Sequence, residues 1–194
     1  MDREYCVLFI SRRNSARSLI AEAVVNRHGK GRFRAFSAGV EPTHEVDKAT
    51  IELLEKCGYV TTGLRPKHWS EFTHPDAPQF DFVFTLSDTA SKDKFPEWPG
   101  KPASSHWRYP DPLKSIGDEW RQKREFARTL SALERQMRVF MQLPVERLDT
   151  IALQRRLNEI GAEAHADRRR RPQCNMMLSV GADCPGGPPS ASFQ

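Results

Sequence analysis

A short apolar segment followed at once by small polar residues constrains this chain more than any other feature. Residues 7–10 are consecutively apolar, which is typical of a buried strand in a parallel sheet. Residues 11–18 read Ser-Arg-Arg-Asn-Ser-Ala-Arg-Ser, and residues 19–25 then have helical apolar spacing. A strand that turns sharply into a helix directs backbone N–H groups and the positive helix end at one point. Because Arg17 adds a planar fork of donors, the segment predicts a site for a phosphate-like anion.

The rest of the chain alternates between predicted strands and predicted helices. The further strands are expected at residues 32–37, 80–85 and 105–108. The further helices are expected at residues 45–57, 118–143 and 148–161. The longest of these helices has a predicted core-facing stripe made of Trp120, Phe126, Leu130, Leu133, Met137 and Phe140. Strands that alternate with helices through short connections predict an α/β domain with a parallel sheet, over residues 1–161.

The C-terminal part of the chain has a different composition. No apolar period continues beyond the glycine at position 161, and residues 162–194 carry first a run of four arginines and then glycine, proline and serine. This composition predicts a disordered tail. The net charge is +5, and part of it comes from this tail. Four arginines are too few to indicate nucleic-acid binding, so a nucleic-acid partner is not expected.

Several other classes of protein are disfavoured by the sequence. No apolar run approaches the roughly 20 residues of a membrane helix, so no membrane partner is expected. Residues 2–4 are charged and lead directly into the first strand, without a signal-peptide pattern, which favours a cytoplasmic location. The cysteines, Cys6, Cys57, Cys174 and Cys184, have no metal-ligand spacing, and Cys6 and Cys57 are expected to be buried structural thiols. We therefore expect no metal and no cofactor.

The run from Asn14 to Ser18 after an apolar strand resembles the anion loop of the low-molecular-weight protein tyrosine phosphatases and the thioredoxin-coupled arsenate reductases. Three further matches follow in order over residues 4–161: Ser37-Ala38-Gly39, the strand that ends at Thr85, and Asp111-Pro112 before the long helix. The resemblance implies a three-layer α/β/α fold with a central four-stranded parallel sheet and a C-terminal helix. In that family a nucleophilic cysteine opens the loop, whereas this chain has Ser11 there.

The resemblance also implies roles for individual residues. The residues expected to surround the anion are Arg12, Arg13, Asn14, Ser15, Ala16, Arg17 and Ser18. By the same resemblance Asn14 shapes the loop, Ser18 helps to keep the nucleophile ionised, and Asp111 protonates the leaving group. Arg12 and Arg13 replace the small residues usual in the family, and they either attract anions to the loop or simply face solvent.

The positions that carry sulfur chemistry in the family lack sulfur in this chain. A thiol with a pKa near ~8.5 ionises in an electropositive loop, whereas a serine hydroxyl needs an adjacent base, and no histidine lies in or next to the loop sequence. In the arsenate reductases that this chain resembles, a Thr-x-Cys-Asp sequence lies near the end of the third strand, and a further cysteine precedes a proline. Here those positions are Ser87 and Phe95. The sequence therefore predicts a catalytically degenerate protein that still binds phosphate, arsenate or a phosphorylated small molecule or protein.

Two alternatives stay open at the level of sequence. The chain is an active arsenate reductase or phosphomonoester phosphatase that uses another nucleophile, or it is a regulatory protein that acts through its basic long helix and its tail. The oligomeric state is not indicated by any pattern in the sequence.

Overall fold

A parallel sheet of four strands forms the centre of the molecule. The strands are β1 (Tyr5–Ser11), β2 (Phe33–Gly39), β3 (Phe82–Thr85) and β4 (Ala103–His106), in the spatial order β2-β1-β3-β4. The computed structural model describes residues 3–92, 95, 98–114 and 118–170. In the register of the sheet Ser11 lies beside Gly39, and Ile10 lies beside Thr85. The carboxyl ends of β1, β2 and β3 therefore meet at one edge, as the α/β prediction requires.

Four helices pack with this sheet. They are α1 (Arg17–His28), α2 (Lys48–Lys56), α3 (Glu119–Met141) and α4 (Thr150–Arg170). Shorter 3₁₀ turns lie at Trp69–Phe72, Ala90–Lys92, Pro112–Lys114 and Val145–Arg147. One face of the sheet, with Val7 and Phe9, packs against the helices, and the other face, with Leu8 and Ile10, packs against side chains of the first two turns. The sheet is thus covered on both faces, which confirms the predicted α/β class with three layers.

Aromatic side chains fill the core between the sheet and α3. Phe84 stacks on Trp107 with ring centroids 4.0 Å apart, and Phe140 of α3 packs edge-on against Phe84 at 5.2 Å. All three side chains are fully buried. Such burial contributes roughly 2 kcal/mol or more for each large side chain, so the strand ends that carry the polar loop are held by a rigid core.

Two of the predictions for the long helices are wrong in detail. Trp120 is 65% exposed and stacks on the guanidinium of Arg124, so it does not belong to the core-facing stripe, whose other members are buried. Gly161 does not end α4, which continues to Arg170. A Cβ at Gly161 would lie 2.6 Å from Cδ1 of Trp107, so this glycine permits a close approach between helix and indole. The predicted tail beyond residue 170 lies outside the described residues.

The thiols of Cys6 and Cys57 are half-buried rather than fully buried. Among the helices of the described residues, none combines the length and the apolar character that crossing a bilayer requires. In the same part of the chain, no three His, Cys, Asp or Glu side chains are grouped so that they could hold a metal ion.

Candidate anion-binding site

The loop between β1 and α1 is fixed by its own backbone and by the segment after β2. Asn14 has a φ of +47°, a left-handed conformation that asparagine tolerates better than most residues. The carbonyl of Arg12 accepts the N–H groups of Val40 and Glu41, at 3.0 and 2.8 Å. A Cβ at Gly39 would lie 3.0 Å from the Cβ of Asn14, which explains the glycine at the end of β2. The loop therefore has one well-defined conformation.

Behind the loop lies a buried network of polar side chains that starts at Ser11. The hydroxyls of Ser11 and Ser18 are 2.8 Å apart. The side-chain amide of Asn14 donates to Ser18 Oγ and to Ser37 Oγ, each at 2.8 Å, and its Oδ1 accepts the backbone N–H of Lys67 at 2.9 Å. Because buried polar groups are costly unless they are paired, a network satisfied in this way stabilises one loop geometry.

An ion pair between Glu22 and Lys67 completes this network. Lys67 Nζ lies 3.5 Å from Glu22 Oε2, and the two side chains are only 9% and 12% exposed. The same ammonium contacts Ser37 Oγ at 3.4 Å and the carbonyl of Arg65 at 3.1 Å. Burial raises the pKa of Glu22 and lowers that of Lys67, while the charge of each partner opposes the shift of the other.

Sequence reasoning missed this ion pair. A single acidic residue inside the apolar run of residues 19–25 was the available signal for Glu22. Lys67 lies in a connection of irregular structure, where nothing in the sequence distinguishes it from a surface lysine.

Arg17 joins the start of α1 to the segment after β4. Its Nη1 donates to the carbonyl of Tyr109 at 2.8 Å, and its Nη2 lies 3.1 Å from Asp111 Oδ2. The residue is 8% exposed. Burial lowers the pKa of the guanidinium, and the carboxylates of Asp111 and Asp88 oppose that shift. An arginine remains charged under these conditions, so the loop carries a buried cation at its end.

Asp111, predicted from the sequence to lie at this site, is brought into direct contact with Arg17. Its second oxygen, Oδ1, accepts the backbone N–H of Leu113 at 3.2 Å and so caps the following 3₁₀ turn. The carboxylate therefore has both a local structural contact and a contact to the guanidinium of the loop.

The other predicted loop residues lie at different depths. Ser15 and Ala16 are buried, and the Ser15 carbonyl accepts the hydroxyl of Thr50 at 2.9 Å. Arg12 forms a two-contact ion pair with Glu41, so a carboxylate compensates its charge, whereas Arg13 is exposed. The loop thus combines a paired and an exposed arginine at its surface with a buried arginine at its end.

Comparison with known proteins decides the family. Residues 6–154 match the family described as low molecular weight phosphotyrosine protein phosphatase. This chain belongs to that family. Within the family it is similar to the arsenate reductase of Bacillus licheniformis, with 29% identity over 114 residues that cover 58% of this chain and 78% of the relative. It is similar as well to the glutaredoxin arsenate reductase of Synechocystis, with 28% identity over 55% of this chain and 77% of that protein.

Solved structures agree with this assignment. The arsenate reductase of Archaeoglobus fulgidus superimposes with a TM-score of 0.57 at 28% identity, covering 71% of this chain and 99% of that chain. The tyrosine phosphatase Wzb of Escherichia coli K30, in complex with sulphate, superimposes with a TM-score of 0.54 at 19% identity, covering 71% and 96% of the two chains. This second likeness shows the fold alone.

In this member of the phosphatase family, the two positions expected to have lost redox cysteines have structural roles. Ser87 Oγ accepts the backbone N–H of Ala90 at 3.3 Å and so caps a 3₁₀ turn. Phe95 packs edge-on against Trp69 and lies 6.3 Å, between ring centroids, from Trp98. Both side chains thus make structural contacts in this protein.

A charged cluster beside Arg17 was also missed by the sequence analysis of this phosphatase-family chain. The carboxylate of Asp88 lies 2.9 Å from Nε of Arg108 and 3.2 Å from Nε2 of His106. His106 Nδ1 is 3.0 Å from the Thr85 carbonyl, so the ring is tied to the end of β3. These residues come from two neighbouring strand ends, and only the sheet order brings them together.

Proposed function

We propose that this protein binds a phosphate-type oxyanion in the loop from Ser11 to Arg17 and does not attack it. The observation that carries the proposal is the surroundings of Ser11. Its Oγ contacts the Ser18 hydroxyl at 2.8 Å and the backbone N–H of Asn14 at 3.2 Å, and neither group is a base. A serine nucleophile needs a base within hydrogen-bond reach. The groups that would hold the anion need no such base.

The geometry of the loop also supports the anion-binding part of the proposal. Backbone N–H groups at the start of α1 and the fixed fork of Arg17 are the donors that a tetrahedral oxyanion requires. The proposed ligand is phosphate, arsenate or a phosphorylated small molecule or protein, and the proposed location is the cytoplasm. The sulphate complex of Wzb and the description of another neighbour of this fold as an arsenate reductase in its phosphate-binding state are consistent with this class of ligand.

Asp111 is an internal competitor for the anion in this proposal. Its carboxylate lies 3.1 Å from Arg17 Nη2, so an incoming anion shares or displaces this contact. Two negative charges against one guanidinium repel each other, and the free energy of anion binding is reduced by that repulsion.

A second candidate is an active phosphatase, because Asp111 and Arg17 are placed together as a general acid and an oxyanion-binding residue would be. Turnover of an aryl phosphate by the unmodified protein, lost in Ser11→Ala, would establish it. The half-buried Cys6 is a poor replacement nucleophile, since burial raises the pKa of its thiol above the ordinary value.

The proposal is tested by titration calorimetry with phosphate, arsenate and sulfate. The unmodified protein is expected to bind at least one of them, and Arg17→Ala is expected to weaken that binding about 100-fold through loss of a charge-assisted donor pair. Arg155→Ala removes an equal charge from an exposed arginine of α4 that pairs with Glu159, and it serves as the matched control. Absence of binding, or equal affinities for the Arg17 and Arg155 variants, would contradict the proposal.

A further inference from the structure

In the network behind the loop, the donor and the acceptor of each hydrogen bond can be assigned in turn, starting from Glu22. An ionised carboxylate only accepts hydrogen bonds, so the hydroxyl of Ser37 donates its proton to Glu22 Oε2. The ammonium of Lys67, 3.5 Å from the same oxygen, favours the ionised form of that carboxylate. The Ser37 oxygen is then available only as an acceptor.

The next step is the side-chain amide of Asn14, whose orientation is fixed. Its Oδ1 accepts the backbone N–H of Lys67 at 2.9 Å, and a backbone N–H cannot accept in return. The nitrogen of the amide therefore faces the two serines and uses both of its protons, one on Ser37 Oγ and one on Ser18 Oγ.

Burial then decides the direction between the last two hydroxyls, which lie 2.8 Å apart so that either could donate to the other. Ser18 Oγ accepts from Asn14, and the residue is 0% exposed. If Ser11 donated to Ser18, the Ser18 proton would be buried without an acceptor among the described residues, so Ser18 is the donor and Ser11 Oγ the acceptor. Ser11 Oγ also accepts the backbone N–H of Asn14 at 3.2 Å. A hydroxyl has two acceptor positions and one proton. Both acceptor positions of Ser11 are used, so its proton is the one group left to make a new bond.

We propose that Ser11 donates its hydroxyl proton to the bound oxyanion. This inference rests on the proposed function and assigns a binding role to the residue at the nucleophile position. A thiolate at this position would place a negative charge against the anion, whereas the serine places a donor there. The substitution then strengthens oxyanion binding in the same step that removes attack on it.

The affinity test uses sulfate, which stays a dianion across the neutral pH range. Ser11→Ala is expected to bind sulfate about tenfold more weakly than the unmodified protein, as for the loss of one hydrogen bond to a charged group. If Ser11 instead presents a lone pair to the anion, Ser11→Ala binds equally well or more tightly, which overturns the proposal. Ser91→Ala, at an exposed serine of the turn after β3, controls for the loss of a hydroxyl, and the unfolding temperature checks that each variant is folded.

Ser11→Cys supplies a second variant that keeps a side chain of similar shape. Its sulfate affinity is expected to fall at least tenfold as the pH rises through the thiol pKa, while the affinity of the unmodified protein stays constant. A pH-independent affinity in Ser11→Cys, equal to that of the serine protein, would contradict the assignment of Ser11 as the donor.

A neutron structure of the ligand-free protein in deuterated solvent shows directly which hydroxyl donates in the Ser11–Ser18 hydrogen bond. The expected result is a deuteron on Ser18 Oγ that points at Ser11, and a deuteron on Ser11 Oγ that points away from Ser18. A Ser11 deuteron on the line to Ser18 overturns the inference even if sulfate binds. The expected deuterons together with no sulfate binding would leave the hydrogen-bond direction correct and refute the proposed function.

Discussion

Two regions at the same edge of the sheet differ in what their polar and aromatic side chains do. At the end of β1 the loop residues from Ser11 to Ser18 keep a satisfied polar network, a left-handed asparagine and a buried arginine. Beyond the end of β3, Ser87 caps a turn and Phe95 packs among tryptophans. The first region has the donor geometry on which the proposed function rests, whereas the side chains of the second region cap a turn and pack in an apolar cluster. The proposed function therefore separates oxyanion binding in the first region from the sulfur chemistry that the family resemblance implies for the second.

The largest effect in this comparison is expected from Lys67→Met. Removal of the ammonium leaves Glu22 buried without its partner, and the free energy of unfolding is expected to fall by about 3 kcal/mol at neutral pH. When Glu22 is protonated it carries no charge that needs the ammonium, and burial already raises the pKa of this carboxyl. The loss of unfolding free energy should therefore be smallest at a pH below the ordinary pKa of glutamate. It should grow as the pH rises through the raised pKa of Glu22.

Urea unfolding at several pH values measures this effect. Glu71→Gln provides a control, because Glu71 belongs to the exposed pair with Arg65 in the same region. A loss for Lys67→Met that is as small as the loss for Glu71→Gln, or one that is largest in acid, would contradict the account of the buried pair.

Phe95→Ala tests the structural role of the second region. The ring packs in the aromatic cluster with Trp69 and Trp98, and its removal is expected to lower the free energy of unfolding by about 2 kcal/mol. Sulfate affinity should not change, because the ring makes apolar contacts on the face of the sheet with Leu8 and Ile10 and takes no part in the hydrogen bonds of the loop network. Denaturant unfolding and calorimetry on the same variant check both parts. A loss of affinity without a loss of stability would mean that Phe95 belongs to the binding site.

Asp111→Asn tests the competition at Arg17. Removal of the carboxylate charge beside the guanidinium is expected to increase sulfate affinity about fivefold, equivalent to about 1 kcal/mol, because repulsion of the ligand is removed. Calorimetric titration at low ionic strength is the measurement. An unchanged or weaker affinity would show that Asp111 supports anion binding instead of opposing it.

The smallest effect is expected from Trp120→Ala. The side chain is 65% exposed and contacts the guanidinium of Arg124, so the free energy of unfolding should change by no more than about 0.5 kcal/mol. The variant is also the aromatic control for Phe95→Ala. A loss of unfolding free energy comparable to that of Phe95→Ala would show that Trp120 does belong to the core-facing stripe, as its spacing predicts.

The sequence predicted the fold and the position of the loop between β1 and α1 because those features have local signals. Apolar runs and helical periods indicated the four strands and four helices of the described residues, although the last strand lies at Ala103–His106 and not at 105–108. The loop from Ser11 to Arg17 is contiguous in the sequence. The Glu22–Lys67 pair and the Asp88 cluster have no such signal, since strand order and loop packing bring distant residues together. Gly161 was misinterpreted as a helix stop because its packing against Trp107 is a tertiary contact. Spacing alone likewise placed Trp120 in the core, although this residue of the first turn of α3 is 65% exposed.

Phosphorus NMR of the unmodified protein with an aryl phosphate tests the central claim most directly. The account predicts that the resonance of the intact ester shifts or broadens on binding, that Arg17→Ala abolishes this change, and that neither free phosphate nor a phosphoserine resonance appears. Release of phosphate, or a covalent phosphoserine signal that disappears in Ser11→Ala, would contradict a site that holds the oxyanion without attacking it.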